Sequence, residues 1–212
     1  MSNFCVLFDM DGVMLDTEPL YDKFWEHAAD KYNIGIPNFA KQIKGTTLPN
    51  ILKKYFSEYT QEERDRLEKE VHEYESNMIF EQIPGSIQFV KALKKNGIKV
   101  GLVTSSTMTK MNAVNKQKEF DKLFDTIVTA EDVTHGKPDP QCFLVGANNL
   151  KADPGNCFVF EDSFAGIEAG NKAGMKVIGL ATTNTANALA DKCIAVIRDF
   201  ENFKVDDLKT MI

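Results

Sequence analysis

The amino-acid sequence predicts an α/β protein: a parallel sheet with helices on both faces, interrupted after its first strand by an all-helical insert. Three observations predict it. From Pro84 onward, short β-prone apolar runs alternate with helical periodicities, the signature of strand–helix–strand units. Residues 17–82 carry helical patterns only. An isolated apolar run, Cys5-Val6-Leu7-Phe8, precedes them and needs partner strands from the later part of the chain.

Each element has its own grounds. The first apolar run leads into Asp9-Met10-Asp11-Gly12, so it reads as a buried strand ending in a sharp turn. In the insert, Leu20, Phe24, Ala28 and Tyr32 recur every four residues and give one helix an apolar stripe. Ile51, Leu52, Tyr55 and Phe56 mark a second helix, begun near Pro49. Thr60 with Glu63 has the form of a capping box, opening a third helix with Leu67, Val71, Tyr74 and Met78 on one face. The Lys- and Glu-rich tract of residues 61–75 is the solvated face of that helix. Beyond Pro84, Ile87, Val90 and Leu93 line a helix that Gly97 can end. Strands follow at 99–103, 125–129, 157–160, 176–180 and 194–197. Helices fall between them at about 107–119, 140–150 and 163–173, with Gly174 as a stop and an Ala-rich helix before the last strand. The expected division is a core of residues 1–16 and 83–212, with a helical domain at 17–82.

The chemistry collects at strand ends. Parallel strands put their carboxyl ends on one edge, where open α/β sheets bind ligands. Asp9 and Asp11, Thr104 and Ser105, and Glu161 and Asp162 all fall there. So many carboxylates repel one another unless a cation intervenes, and oxygen-only ligands favour a hard ion such as Mg²⁺. Lys137 adds a fixed positive charge, and hydroxyls beside backbone N–H groups suit a phosphate. Each piece also has a plainer meaning. Asp-x-Asp-Gly is a common turn, Thr104–Thr107 a common helix cap, and Gly-Lys-Pro a common loop. Their joint occurrence at one edge favours phosphoryl transfer, which needs charge neutralisation, positioning and a nucleophile.

Composition narrows the classes further. At 43% hydrophobic, 26% charged and a net charge of −6, the chain is an ordinary globular one without the basic footprint of a nucleic-acid binder. No apolar run is long enough to span a membrane, and residues 4–8 are too short for a signal-peptide core. Cys5, Cys142, Cys157 and Cys193 show no metal-binding spacing and read as reduced core residues. The scattered His27, His72 and His135 make a histidine metal site or triad improbable. A cytoplasmic monomer acting on a small molecule is expected, with no nucleic-acid or membrane partner.

Four stretches occur in order: FDMDGV followed by MLDTEP, the strand Val100-Gly101-Leu102-Val103 ending in Thr104-Ser105-Ser106, Gly136-Lys137-Pro138-Asp139-Pro140, and Val159-Phe160-Glu161-Asp162-Ser163. Together they resemble the motifs of the haloacid dehalogenase-like hydrolases, in the subfamily of β-phosphoglucomutase and small-molecule phosphatases. The resemblance spans essentially the whole chain. It implies a Rossmann-like core with a helical cap over residues 17–82, a Mg²⁺ cofactor and a small phosphorylated metabolite as substrate. It further implies that Asp9 attacks phosphorus to form an aspartyl-phosphate, while Asp11 protonates the leaving oxygen and then activates water. The metal would be held by Asp9, the backbone carbonyl of Asp11 and Asp162, with Glu161 helping directly or through water. Thr104 or Ser105 would anchor a phosphate oxygen, and Lys137 would add its charge. In the mutases, a histidine stands where this chain has Tyr21, an arginine follows a Lys-Gly pair where this chain has Leu48, and a cap lysine has only Asn77 as its nearest counterpart. Those departures favour a phosphatase over a β-phosphoglucomutase. The cap is expected to close over the site and present Gly45, Thr46 and Thr47, whose neutral hydroxyls suit a sugar or polyol.

Overall fold

The computed structural model describes residues 4–43 and 46–211. Its six strands are β1 (Cys5–Phe8), β2 (Lys99–Val103), β3 (Thr126–Val128), β4 (Cys157–Glu161), β5 (Lys176–Leu180) and β6 (Ala195–Ile197). They form one parallel sheet in the order β3-β2-β1-β4-β5-β6. β1 is central, as its four buried residues require. Its side chains divide by the period of two. Val6 and Phe8 join one apolar cluster with Leu102, Phe158 and Phe160, while Cys5 and Leu7 join another with Val103, Cys157 and Val159. Phe8 and Phe160 stack with ring centroids 5.0 Å apart, locking β1 to β4. The strand order reverses between β1 and β4, and that reversal opens the ligand-binding crevice of such sheets at their carboxyl ends.

Among the described residues, the stretch after β1 and before Pro84 holds four helices: α1 (Glu18–Lys31), α2 (Phe39–Ile43), α3 (Leu48–Tyr55) and α4 (Gln61–Asn77). They share an apolar cluster of their own, built on Phe24, Trp25, Phe39, Ile51, Phe56, Leu67 and Val71. The expected capping box opens α4, with Thr60 and Glu63 each bonding the other's backbone. The short α2 was not foreseen, and the last helical residue of α4 is Asn77, so Met78 is already extended. The chain enters and leaves this unit along two paired segments. Asp16 N–H bonds Glu81 O at 2.9 Å and Ile83 N–H bonds Met14 O at 3.0 Å.

The remaining helices are α5 (Ser86–Lys95), α6 (Met108–Lys118), α7 (Phe120–Leu123), α8 (Gln141–Leu150), α9 (Phe164–Lys172), α10 (Ala186–Leu189) and α11 (Val205–Lys209). Where one helix was expected over 107–119, the chain breaks at Glu119, which adopts φ 51°, and α7 restarts with Phe120. The break turns Phe120 and Phe124 into the core, which outweighs the cost of a left-handed non-glycine residue. Among the described residues, no helix is long and apolar enough to cross a membrane.

Candidate active site

Asp9 directly follows β1, and its N–H donates to Phe160 O at 3.0 Å, so the ends of β1 and β4 meet side by side. The chain then turns tightly, with the N–H groups of Met14 and Leu15 both bonding Met10 O, at 2.8 and 2.9 Å. Gly12 occupies this turn at φ +74°, and a Cβ there would stand 2.1 Å from Asp162 Oδ2. Glycine is therefore required twice over, for the backbone angle and for the acid packed against it.

Around Asp9 gather the two acids at the end of β4 and one lysine. Lys137 Nζ donates to Asp9 Oδ1 at 2.5 Å and to Glu161 Oε1 at 2.7 Å. Glu161 Oε2 accepts from the backbone N–H groups of Asp162 and Ser163, each at 2.8 Å, and from the Ser163 hydroxyl at 3.0 Å. A Cβ on Gly166 would lie 1.6 Å from Glu161 Oε1, so the first turn of α9 must be bare to seat this carboxylate. Asp162 Oδ2 accepts from the Thr183 hydroxyl, and its main-chain carbonyl accepts from Asn184 Nδ2 at 2.9 Å. Thr182 completes the loop by donating to Gly12 O at 2.7 Å.

One oxygen from each of Asp9, Glu161 and Asp162 lies within 4.8 Å of the others, and all three residues are buried. Burial pushes the Asp9 carboxyl up to about 7; Lys137 opposes the rise, while Glu161 and Asp11 add to it. Burial, with Glu161 and Asp9 close by, likewise drives Asp162 well above the ordinary carboxylate range. Burial works against the charge on Lys137, but Asp9 and Glu161 more than compensate and hold it as an ammonium. Three buried acids against one lysine leave a deficit of positive charge. An oxygen-only donor set with that deficit fits a hard divalent ion such as Mg²⁺.

The Asp11 side chain has different company and is not part of that cluster. Its Oδ1 accepts from the Thr17 hydroxyl and from Lys110 Nζ, each at 2.5 Å, and its Oδ2 from the Ser106 hydroxyl at 2.9 Å. Burial alone would raise its pKa, but Lys110 and the two hydroxyls outweigh it and keep the carboxyl below the usual range. Lys110, only 1% exposed, reaches on to the Tyr21 hydroxyl at 2.7 Å, which in turn donates to Glu75 Oε1 at 2.6 Å. Tyr21 thus has a polar role as well as its packing, whereas Trp25 and Phe56 are plain core residues.

Of the residues singled out from sequence, Asp9, Asp11, Thr104, Lys137, Glu161 and Asp162 meet at this edge. Thr104 is buried at the end of β2, where its Oγ1 accepts from Ser106 N–H at 3.0 Å. Ser105 is exposed. In the helical unit, Gly45 lies outside the described residues, Thr46 N–H bonds Ile43 O at 2.9 Å, and Thr47 leads into α3. Among the described residues neither threonine is hydrogen-bonded to the acidic cluster. Thr17, Lys110 and the Thr182-Thr183-Asn184 loop were not expected at the site, and Ser106 only as a member of the Thr104-Ser105-Ser106 run. The loop had a signal, since it too follows a strand's carboxyl end. Lys110 had a fainter one, lying in phase with the buried Ala113 and Val114 of α6.

A family profile described as haloacid dehalogenase-like hydrolase matches residues 6–180, which takes in Asp9, Lys137 and Asp162. The chain belongs to the haloacid dehalogenase-like hydrolases. Among relatives within this family, it is 32% identical over 217 residues to a phosphorylated carbohydrates phosphatase of Thermotoga maritima, covering 94% of this chain and 96% of that one. It is 31% identical to glycerol-1-phosphate phosphohydrolase 1 of Saccharomyces cerevisiae, covering 95% and 84%. A crystal structure of β-phosphoglucomutase from Clostridium difficile superposes with a TM-score of 0.82 at 27% identity, covering 99% and 96%. The protein thus falls on the phosphoglucomutase- and phosphatase-like branch of the haloacid dehalogenase-like hydrolases, with its Rossmann-like core and helical cap.

Proposed function

We propose that the protein is a Mg²⁺-dependent phosphatase that hydrolyses a sugar or polyol phosphate through an aspartyl-phosphate. Its family already makes it a hydrolase acting on phosphate esters. One observation carries the finer reading: two aspartates separated by a single residue stand in opposite electrostatic surroundings, which lets them take different parts in one reaction.

Asp9 is the proposed nucleophile. Lys137 engages its Oδ1 and leaves the other oxygen to approach phosphorus. As the Asp9–phosphorus bond forms, the ester bond breaks and its oxygen takes a proton from Asp11. In the second half Asp11 accepts a proton from water, which attacks phosphorus and releases inorganic phosphate and free Asp9. The depressed pKa of Asp11 favours its carboxylate form and hence that hydrolytic half. Bound Mg²⁺ would supply charge neutralisation for the phosphoryl oxygens. Asp9, Asp162 and the Asp11 carbonyl would hold it. Glu161, already accepting four hydrogen bonds, would act through water. Thr104 is the better placed of the two hydroxyls to receive phosphate, being buried at the strand end.

Residues 17–82 are proposed as the cap domain and residues 1–16 with 83–212 as the catalytic core, a division supported by the separate apolar cluster of α1–α4. The cap would present Gly45, Thr46 and Thr47 to the leaving part of the substrate. The carbohydrate and glycerol phosphates named for the two relatives support the hydroxyl-rich class. Phosphate release from a panel of sugar and polyol monophosphates tests the reading. It should require Mg²⁺ and stop on adding a chelator. Undiminished turnover in chelator, or no release from any member of the panel, would sink it.

A further inference from the structure

We propose that Lys110, Tyr21 and Glu75 form a relay from the cap to the core that positions Asp11 for hydrolysis of the aspartyl-phosphate. The inference rests on the reading of Asp9 and Asp11 given above. Lys110 stands on α6 of the core, whereas Tyr21 is on α1 and Glu75 on α4, both in the helical unit that packs against α6. The three side chains form an unbroken chain of contacts ending on Asp11 Oδ1, at 2.6, 2.7 and 2.5 Å.

A lysine this deeply buried is costly unless its charge is met. Here Asp11 meets it from the core side, and the Tyr21 hydroxyl, backed by Glu75, meets it from the cap side. The ammonium also lies 4.7 Å from the centroid of the Tyr21 ring. A residue so placed can touch no substrate, so its part is a positioning one.

The geometry of Asp11 shows what it positions. Lys110 and Thr17 both bind Oδ1, which fixes the carboxylate plane. Among the described residues, Oδ2 takes only the Ser106 hydroxyl, which leaves a lone pair for water. In the hydrolytic step the water oxygen bonds to phosphorus, the bond from phosphorus to Asp9 breaks, and the water proton passes to Asp11 Oδ2. The contact through Tyr21 ties this arrangement to a seated cap.

Rapid mixing with 4-nitrophenyl phosphate and Mg²⁺ tests the relay, because nitrophenolate leaves without needing a proton. Formation of the phospho-enzyme is then spared, and a defect in its breakdown shows as a burst of one nitrophenolate per enzyme. Lys110→Met should show that burst, followed by a steady-state rate about 10- to 100-fold below wild type, a fraction of what a general base contributes. Tyr21→Phe, the milder variant, should show a burst with a smaller loss. The double variant should lose less than the product of the two, as members of one chain do. A slower steady state with no burst in either variant would mark a merely structural role and overturn the relay, as would wild-type behaviour. Asp11→Asn separates the two levels: if it bursts and Lys110→Met does not, the relay alone fails. If Asp11→Asn shows no burst, the covalent reading fails and the relay with it.

Discussion

Asp9 and Asp11 share one tight turn, yet their surroundings are built on opposite plans. Around Asp9 stand Glu161, Asp162 and a single lysine, so negative charge is in excess and burial lifts the acids' pKa values. Around Asp11 stand one lysine and two hydroxyls, and the charge is met within the chain itself. The first region carries an excess of buried acids that a cation would balance. The second is complete once the cap is seated. The turn separates them: a strand's period of two would put residues i and i+2 on one face, but the chain leaves the strand after Phe8 and turns through Met10 to Leu15.

The comparison can be broken most directly at Asp9. Asp9→Asn keeps the shape but removes the attacking oxygen, and turnover should fall by about 10⁴-fold or more with the melting temperature little changed. A substantial residual rate, free of wild-type enzyme, would mean that Asp9 is not the nucleophile.

Thr183 sharpens it from the metal side. Its hydroxyl donates to Asp162 Oδ2, and removing such a supporting bond typically costs about 10- to 100-fold in metal affinity. Calorimetric titration with Mg²⁺ should register that loss for Thr183→Val and near-recovery for Thr183→Ser. Equal affinity in all three proteins would remove Asp162 from the proposed ligand set.

The smallest effect is on stability. The folded-state pKa of Asp9, about 7, lies above its ordinary value of 3.8, so between these pH values the folded protein binds a proton the unfolded chain has lost. In chelator the stability from this group is full below about pH 4 and is lost as pH rises through about 7; Asp162 acts in the same direction. The melting-temperature gain on adding Mg²⁺ should therefore be larger at pH 8 than at pH 5. A gain that is flat or reversed with pH would contradict the charge deficit around Asp9.

The sequence by itself determined the local plan. Cys5–Phe8 had to be a buried strand because it is apolar on both faces, and Thr60 with Glu63 had to open a helix because each can satisfy the other's backbone. Asp9, Glu161 and Asp162 were legible because parallel strands share one carboxyl edge, whatever their order, and Lys137 through the Gly136-Lys137-Pro138 stretch of the family motifs. The tertiary structure alone decided the partners. Lys110 meets Asp11 across 99 residues and Thr182 meets Gly12 across 170, and neither follows from any local rule. Those contacts depend on β4 lying beside β1, on α6 packing under the cap, and on which buried donor can reach which acceptor. Local propensity is written residue by residue. The matching of buried charges is settled only when the whole chain has closed around them.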